Sequence, residues 1–472
     1  MKRAHRTTGV VVGCLVALGA GPALAADWPQ WRGANRDAKV TDFTPPQTWP
    51  KELARKWKVT VGDGVATPAL VGNKLYVFAR QGNQEVTVCL EADTGKQVWQ
   101  DKYAATTTVG GAARQYPGPR SSPAVADGKV VTLDEGATVS CLDAGTGKVL
   151  WRKDFADDLP AATPRFYTSM SPVIVDGMCV VHLGGERGGA AYALDLAGGE
   201  TKWKWDGEGP AYASPSVMTV DEAKLVVLET AQSVVGLSTA NGKALWKVPF
   251  GGGRGGPGGG RGGPGGGRGG FGGPGGAGGA AIPGGPGGPG AVLGFGGGRG
   301  GRGGGGMGGG GGMSYNAGSP VVEGQTVILS APGQGTKALK VEKSGDGFAA
   351  QELWTNAEVA TQFNTPVLKD GRLYGLSSSG NLFCLDAQTG KTLWRDDRSV
   401  AQRGFGTIVN AGPVLMALTP RGDLIVFKPS EKAFEEVARI VVGDTQTDAY
   451  PVISGNRIFI KDENSVMMYT IE

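Results

Sequence analysis

The sequence has little of what catalytic and metal-binding sites are usually built from. It holds only two histidines in 472 residues, and only His182 lies beyond residue 25. None of its five cysteines forms a CxxC motif, a CxxCH haem-attachment motif or a Cys-Cys pair. Zinc sites of the histidine type, Ser-His-Asp triads and Cys-His dyads therefore lack their parts. We interpret His182 as a partly buried strand residue.

Long apolar runs are also missing. Beyond the N-terminus, no stretch approaches the roughly 18 unbroken apolar residues of a membrane span. The net charge of +4 arises in two segments that contain no acid, since three basic residues lie in the first 25 positions and five arginines lie in residues 251–313. The rest of the chain is therefore mildly acidic. Such a body gives no electrostatic reason to expect a nucleic acid as partner.

The first 25 residues have the pattern of an export signal. A basic start is followed by the apolar run 10–18 and by the small-residue pattern Ala-Leu-Ala at 23–25, after which a signal peptidase would leave Ala26 as the first residue. The sequence around Cys14 resembles a lipoprotein box, which offers lipid anchoring as an alternative. Because the apolar run before Cys14 is only a few residues long, we favour release into the periplasm or the extracellular space.

A glycine-rich tract interrupts the chain. Residues 251–313 hold 41 of the 85 glycines. With few apolar side chains, this tract cannot bury enough surface to offset an ordering cost of about 1 to 2 kcal/mol per residue, so we predict disorder. Arg-Gly-Gly repeats at Arg254, Arg261 and Arg268 are typical of nucleic-acid-binding tails. Export argues against that function, and we interpret the tract as a mobile positive tether for acidic envelope surfaces.

Outside the tract, one phrase recurs. It reads LEADTGKQVW at residues 90–99, LDAGTGKVLW at 142–151 and LDAQTGKTLW at 385–394, with more degenerate copies between them. Each copy follows short apolar strands that begin with a small residue and a proline, and the period of about 40 to 50 residues without a helical pattern is typical of a propeller. The eight predicted starts are Pro68, Pro123, Pro172, Pro215, Pro320, Pro366, Pro413 and Pro451.

These units predict an all-β protein, an eight-bladed β-propeller of four-stranded antiparallel blades. Turn dipeptides such as Asp127-Gly128 join the strands, with glycine supplying a positive φ. The segment around Trp57 has the form of a fourth strand, whereas the last unit has only three, so we expect the N-terminal strand to close the ring. The domain organisation is then a signal peptide (1–25), an N-terminal extension (26–52) and one propeller (53–472) interrupted by residues 251–313.

The recurrent tryptophans lie in the predicted fourth strands. A large flat side chain there can cover the turn of a neighbouring blade and bury roughly 150 to 250 Å². We therefore assign them a structural role in docking one blade against the next rather than in stacking on a cofactor. These residues are Trp57, Trp99, Trp151, Trp203, Trp246, Trp354 and Trp394.

The phrase A-x-D-x-x-T-G-K-x-x-W resembles the pyrroloquinoline quinone (PQQ) repeat, over residues 53–472 without the insert. That family includes quinoprotein alcohol dehydrogenases and non-enzymatic exported propellers similar to BamB. The opening WPQWRGANRD at residues 28–37 also resembles exported bacterial members. The resemblance implies that an enzyme would carry a vicinal disulfide, a calcium site of Glu, Asn and Asp, and often a haem domain. None of these is evident in the sequence, so we predict no cofactor, with PQQ and calcium as the alternative.

We therefore expect a non-enzymatic scaffold that binds proteins of the bacterial envelope, as a monomer without a membrane span; the alternative is a PQQ-dependent dehydrogenase or another enzyme using the central channel. No catalytic, cofactor or metal residues are assigned. Residues just before each proline should ring the channel mouth, where Arg and aromatic side chains favour binding. The candidates are Arg120, Arg165, Tyr167, Tyr212, Tyr315, Phe363, Arg403, Phe405 and Tyr450; alternatively, several of them only fill the channel.

Overall fold

A computed structural model describes residues 26–105, 117–158, 164, 166–185, 188–251, 316–345, 347–401 and 404–471. The signal peptide expected at 1–25 and the disorder expected at 251–313, apart from Gly251, lie outside these residues. The 32 strands of the described residues form eight four-stranded antiparallel sheets. The eight-bladed propeller predicted from the repeats is confirmed.

The first four blades follow one another along the chain, each with its strands in spatial order. Blade 1 comprises β2 (Ala69–Val71), β3 (Lys74–Gln81), β4 (Gln84–Glu91) and β5 (Gln97–Ala104). Blade 2 comprises β6 (Ala124–Ala126), β7 (Lys129–Leu133), β8 (Thr138–Asp143) and β9 (Val149–Asp154). Blade 3 comprises β10 (Val173–Val175), β11 (Met178–Gly185), β12 (Gly188–Asp195) and β13 (Thr201–Gly207). Blade 4 comprises β14 (Ser216–Val220), β15 (Ala223–Glu229), β16 (Ser233–Ser238) and β17 (Ala244–Pro249).

The remaining blades repeat the pattern, and the last recruits the N-terminal strand. Blade 5 comprises β18 (Val321–Glu323), β19 (Thr326–Ala331), β20 (Gly335–Ser344) and β21 (Gly347–Asn356). Blade 6 comprises β22 (Val367–Lys369), β23 (Arg372–Leu376), β24 (Asn381–Asp386) and β25 (Thr392–Ser399). Blade 7 comprises β26 (Thr407–Ala411), β27 (Val414–Leu418), β28 (Asp423–Phe427) and β29 (Glu436–Val441). Blade 8 comprises β30 (Val452–Ser454), β31 (Arg457–Lys461), β32 (Ser465–Thr470) and β1 (Ala54–Thr60).

The ring closes as the sequence predicts. Strand β1 pairs antiparallel with β32, with Trp57 opposite Met468. Lys461 adds a second closing contact, because its ammonium donates to the carbonyls of Gly62 at 3.3 Å and Gly64 at 2.9 Å in the chain that leads to blade 1. Strand β1 and the last three strands are therefore joined within one sheet.

One predicted blade start is wrong. Pro413 lies in the turn between β26 and β27, where Ala411 pairs with Val414, and does not precede the first strand of blade 7. The residue that corresponds by register to Pro68 is Ile408. A Gly-Pro turn has the same small-residue-plus-proline composition as the other starts, which is why the sequence pattern misplaced it.

A β-bulge precedes the tryptophan position in every blade. In blade 1, Cys89 pairs with Trp99 and Leu90 pairs with Gln97, so Val98 is an extra residue in the outer strand. The same shift occurs in the other seven sheets. Because of the bulge, Val98 is 44% exposed whereas Trp99 is only 8% exposed. The bulge therefore turns the tryptophan inward.

The buried tryptophan covers the turn of the next blade. The indole N–H of Trp99 donates to the carbonyl of Ala144 at 3.2 Å. Gly147 adopts a φ of +75°, and a Cβ there would lie 2.5 Å from the Trp99 ring. A large side chain in one blade thus requires a glycine in its neighbour. The indoles of five more blades bond the next blade in the same way, from Trp57, Trp151, Trp203, Trp354 and Trp394.

Candidate functional site

The ring has two different faces because the strands of each blade alternate in direction. We call one the hairpin face; it carries the turns between first and second strands and between third and fourth strands. The other is the connection face, which carries the turns between second and third strands and the links from each fourth strand to the next blade. The sequence predicts the candidate residues on this second face.

The N-terminal segment, residues 26–43, crosses the channel formed by the first strands. Trp28 and Leu70 exchange two backbone hydrogen bonds of 2.8 Å, and the N–H of Val40 donates to the carbonyl of Asn410 at 2.8 Å. The segment thereby joins blade 1 to blade 7. Its further contacts with blades 2, 3, 4, 6 and 8 are made by Pro29, Arg32, Arg36 and Asp42.

Arg36 holds the middle of this segment against two blades. Its guanidinium donates to the carbonyls of Pro215 at 2.8 Å, Pro172 at 3.0 Å and Ser171 at 3.2 Å. A fourth bond, of 3.0 Å, reaches the side chain of Gln30. These acceptors are mostly backbone carbonyls just before the first strands of blades 3 and 4. One side chain therefore satisfies carbonyls that the sheets themselves leave unpaired.

Arg32 makes a similar contact with blade 6. It is 1% exposed and donates to the carbonyl of Pro366 at 2.7 Å. Its guanidinium carbon also lies 5.6 Å from the ring centroid of Trp31 and 5.9 Å from that of Tyr450. Burial lowers the pKa of both arginines, and in Arg36 the nearby charge of Arg32 adds to the effect and brings the pKa to about 9.

Tyr450 belongs to this channel environment and not to an exposed rim. It is 5% exposed, and its ring meets Trp31 edge-on at a centroid distance of 5.8 Å. Its hydroxyl is buried without a hydrogen-bond partner among the described residues. The ring therefore faces the N-terminal segment. Tyr450 is thus a candidate whose side chain packs inside the channel against the N-terminal segment.

A circle of hydroxyl groups links the first strands. Each hydroxyl precedes a proline and accepts a hydrogen bond of 2.8–3.0 Å from the backbone N–H of the corresponding residue in the preceding blade. The small residue before each proline thus connects adjacent blades. The six acceptors are Thr67, Ser122, Ser171, Ser214, Ser319 and Thr365.

Four charged side chains form a ladder on the connection face of blades 1 and 2. Arg80 donates to Glu85 at 3.0 Å and lies 3.2 Å from Glu135, which also pairs with Arg120. Glu85 is fully buried, and burial raises its pKa to about 7 against the opposing effect of Arg80. Arg120 is half-buried and is held by Glu135, so a candidate from the sequence has a fixed position here.

Aromatic residues continue from this ladder. The backbone N–H of Thr168 donates to the carbonyl of Glu135 at 3.3 Å. The N–H of Phe166 donates to the hydroxyl of Tyr212 at 3.2 Å, and the two rings lie 5.9 Å apart. Tyr167, with a φ of +65°, is half-buried beside them. We call the surface formed by Arg120, Glu135, Phe166, Tyr167 and Tyr212 the blade 2–4 arc.

A second aromatic group lies at blades 6 and 7. The rings of Phe363 and Phe405 are parallel within 1°, with centroids 4.1 Å apart, and both residues are half-buried. Asn364 fixes the base of this pair, since its amide donates to the carbonyls of Leu376 at 2.8 Å and Gly404 at 3.0 Å. We call Phe363 and Phe405 the blade 6–7 pair.

The other three candidates, Arg165, Tyr315 and Arg403, lie outside the described residues. Reasoning from the sequence also missed functional neighbours. Arg80, Glu85 and Glu135 lie in or beside the turns between second and third strands, which the prediction placed on this face but did not search. Phe166 adjoins a predicted residue. A search of those turns for charged residues would have found the ladder.

Glu229, at the end of β15, is an unusual buried acid. It is 2% exposed, and neither carboxylate oxygen has a hydrogen-bond partner among the described residues. Burial raises its pKa well above the ordinary value, and the neighbouring Asn316 opposes this shift. Asn316 is the first described residue after the tract. Glu229 and Asn316 thus place an acid and an amide together between blades 4 and 5.

This pair does not complete the calcium site that the PQQ resemblance implies. No second carboxylate contributes to the pKa shift of Glu229. In the part of the chain that the structure describes, no group of three or more His, Cys, Asp or Glu could hold a metal ion. Among the described residues, Glu229 and Asn316 thus supply the acid and the amide of such a set but no Asp beside them, and we derive no catalytic step through PQQ or calcium.

Comparison with known proteins identifies the family. The family model described as outer membrane protein assembly factor BamB matches residues 82–259 and 313–470, which is more than half of the chain. The chain belongs to this BamB family. BamB of Yersinia pestis is 29% identical over 162 residues, which make up 33% of this chain and 37% of that protein. The match thus spans little more than a third of that relative.

Solved structures of a BamB and of a quinohemoprotein alcohol dehydrogenase both share the fold of this chain. BamB from Moraxella catarrhalis matches with a TM-score of 0.58 at 14% identity, covering 89% of this chain and 98% of that one. Quinohemoprotein alcohol dehydrogenase from Comamonas testosteroni matches with a TM-score of 0.59 at 14% identity, covering 96% and 81%. Within the described ranges, no helix is long and apolar enough to cross a membrane.

Proposed function

We propose that this protein is an exported, non-enzymatic propeller that binds other proteins of the bacterial envelope through its connection face. The observation that carries the proposal is the contrast between the two faces. The N-terminal segment occupies the channel and binds turns of the hairpin face through Asp27 and Asp42. The connection face instead presents half-buried aromatic and arginine side chains. The chain belongs to a family whose model is described as an outer membrane protein assembly factor, and this supports a role in assembling other proteins.

Two groups on this face have the chemistry of binding hot spots. The blade 6–7 pair offers stacked aromatic surface on a base fixed by Asn364. The blade 2–4 arc offers Arg120 and Tyr212, which are held by Glu135 and Phe166. Arg and aromatic residues dominate binding energy when they are partly ordered before the partner arrives. Both groups meet that condition because their neighbours fix them.

The remaining parts of the proposal concern where the protein works. Cleavage after Ala25 would release the chain into the periplasm or the extracellular space, with lipid anchoring at Cys14 as the other route. The tract 251–313 would serve as a positive tether for acidic envelope surfaces, since its five arginines have no acidic neighbour within the tract. We propose a monomer, because β1 already closes the ring within one chain.

Partner capture from envelope extract tests the proposal. Two double variants, Phe363→Ala with Phe405→Ala and Arg120→Ala with Tyr212→Ala, should each lower the amount of captured partner at least tenfold. The control variant, Lys148→Ala with Gln388→Ala, changes two exposed residues in turns of the hairpin face and should capture as the native chain does. Undiminished capture by both connection-face variants would refute the proposed surface.

A PQQ-dependent dehydrogenase is the second candidate function, favoured by the similarity of the fold to quinohemoprotein alcohol dehydrogenase. Purified protein incubated with PQQ and calcium tests this candidate. A retained mass of one PQQ per chain, with the absorbance of the bound quinone, would favour it. A mass and spectrum unchanged after desalting would favour the binding function.

A further inference from the structure

Asp42 is a carboxylate with no positively charged side chain paired to it among the described residues. Its Oδ2 atom accepts two backbone hydrogen bonds, from Ala26 at 2.6 Å and from Gly455 at 2.7 Å. Its Oδ1 atom is buried and has no hydrogen-bond partner among the described residues. No lysine or arginine of those residues forms an ion pair with it within 4.0 Å. A partly buried charge with one unsatisfied oxygen is costly unless a positive group joins it.

The two residues that follow Ala26 are held by blade 1. The next residue, Asp27, accepts the N–H of Gly72 at 2.7 Å, and Trp28 pairs with Leu70 of blade 1. The nitrogen of Ala26 therefore donates to Asp42 from a backbone that blade 1 holds. Because Gly455 lies in a turn of blade 8, the contact joins the first and last blades at the hairpin face.

We infer that Asp42 is the receptor for the α-ammonium group that signal-peptidase cleavage creates on Ala26. This inference rests on the export part of the proposed function and names the residue that receives the processed terminus. The sequence pattern at 23–25 and the geometry of Asp42 point to the same bond independently. The nitrogen that the cleavage pattern would free is the one already 2.6 Å from the carboxylate.

The chemistry of this step balances with water as the only co-reactant. Signal peptidase hydrolyses the bond between the carbonyl carbon of Ala25 and the nitrogen of Ala26. The hydroxyl of water joins Ala25, which leaves as a carboxylate, and the nitrogen of Ala26 becomes an amine that takes up a proton near neutral pH. One N–H donor is thereby replaced by a cation with three N–H groups. That cation can satisfy both oxygens of Asp42, whereas the uncleaved amide reaches only one.

The first test is the mass of the full chain after export from a bacterial host. A mature protein that begins at Ala26 is expected. A chain that keeps its leader, begins at another residue or carries lipid on Cys14 would overturn the inference. This result is independent of partner capture at the connection face, so failure here and failure of the binding surface are distinguishable.

The second test measures the pKa of the α-amine of Ala26 in the mature protein. The amine is acetylated with an N-hydroxysuccinimide ester at several pH values, and peptide mass spectrometry gives the labelling rate at each pH. An ion pair favours the protonated amine, so its pKa should lie at least about one unit above the ordinary 7.7 to 8.0. Labelling at pH 8 should accordingly be about tenfold slower than in the Asp42→Asn variant. Asp127→Asn, at an exposed residue of a hairpin-face turn in blade 2, is the control and should change the rate less than twofold.

Equal rates in the native chain and Asp42→Asn would show that simple burial protects the amine and would overturn the receptor role. If Asp42→Asn does not fold, the α-amine pKa of the native chain is compared with that of the same chain unfolded in urea. An α-amine pKa no higher in the folded protein than in urea would contradict the inference. A folded value at least one unit higher would support it.

Discussion

The channel and the connection face of this propeller use arginine in opposite ways. In the channel, Arg36 donates hydrogen bonds to three backbone carbonyls and one amide side chain, and no carboxylate of the described residues pairs with it. On the connection face, Arg80 and Arg120 pair with carboxylates, and Arg120 remains half-buried. The first arrangement consumes the donors of the side chain in holding blades together. The second leaves part of the side chain available to a partner.

This comparison separates structure from binding. A buried side chain that donates mostly to backbone carbonyls should matter for stability, because its loss leaves those carbonyls without a donor. A half-exposed side chain held from one side should matter less for stability and more for affinity. The predictions that follow test the structural side first, in order of expected effect.

The largest loss of stability is expected from Arg36→Ala. The change leaves the carbonyls of Pro215, Pro172 and Ser171 without their donor, so the free energy of unfolding should fall by about 3 to 5 kcal/mol. Urea unfolding followed by tryptophan fluorescence measures it. Lys39→Ala, an exposed residue of the same segment, is the control and should cost about 0.5 kcal/mol or less. Equal stability of the two variants would contradict the structural role of the segment.

Blade docking should depend on glycine at the covered turn. Gly147→Ala places a Cβ 2.5 Å from the Trp99 ring, and should cost about 3 kcal/mol from strain and overpacking together. Gly128→Ala in the same blade is the matched control, because its φ of +69° is similar but no atom lies within 4 Å of the added Cβ. Its cost should be about 1 kcal/mol. Equal unfolding midpoints for the two variants would show that the contact with the Trp99 ring does not cause the loss of stability.

Acid should weaken the ring through His182. Its ring Nε2 lies 2.9 Å from the carbonyl of Glu208, and burial lowers its pKa to about 4. The unfolded chain has the ordinary value near 6.5 and so binds the proton first. Stability is therefore lost as pH falls from about 6.5 towards 4, by about 2 kcal/mol at pH 5. In the variant His182→Gln, the free energy of unfolding should fall less steeply between pH 6.5 and 4. An unchanged pH dependence in that variant would show that other groups cause the loss of stability.

The circle of hydroxyls should contribute the least per residue. Ser171→Ala removes the acceptor of the Ser122 backbone N–H and should cost about 1 to 2 kcal/mol. Ser171→Thr keeps the hydroxyl, as Thr67 and Thr365 do at corresponding positions, and should remain within about 0.5 kcal/mol of the native chain. Thermal unfolding of the two variants side by side decides whether the hydroxyl or the packing matters.

The blade architecture could be predicted because the sequence of each unit contains the pattern of its own blade. Each unit carries its own strands, turn glycines and tryptophan, and the missing strand of the last blade pointed to the segment around Trp57. The start of blade 7 was misplaced because the Gly-Pro turn at 412–413 has the composition of a start. The β-bulges also escaped prediction, since one extra residue such as Val98 leaves the apolar pattern almost unchanged.

The candidate site was less accessible to sequence reasoning, because its contacts are distant along the chain. Arg36 bonds Pro215 across 179 positions, and no local pattern marks either partner. Phe363 and Phe405 were both expected near the mouth, but their stacking depends on how blades 6 and 7 meet. Tyr450 shows the limit of the rule used, because it stands directly before Pro451, where six other blades carry a small hydroxyl residue, and there its ring faces the channel.

Site-specific photo-crosslinking tests most directly whether partners bind at the connection face. A photoreactive phenylalanine analogue placed at Phe405 or Tyr212 should form crosslinks with an envelope protein in living cells. The same analogue at Lys148, in an exposed turn of the hairpin face, should form none above background. Crosslinks at Lys148 with none at Phe405 and Tyr212 would contradict the proposal and place the binding surface on the opposite face.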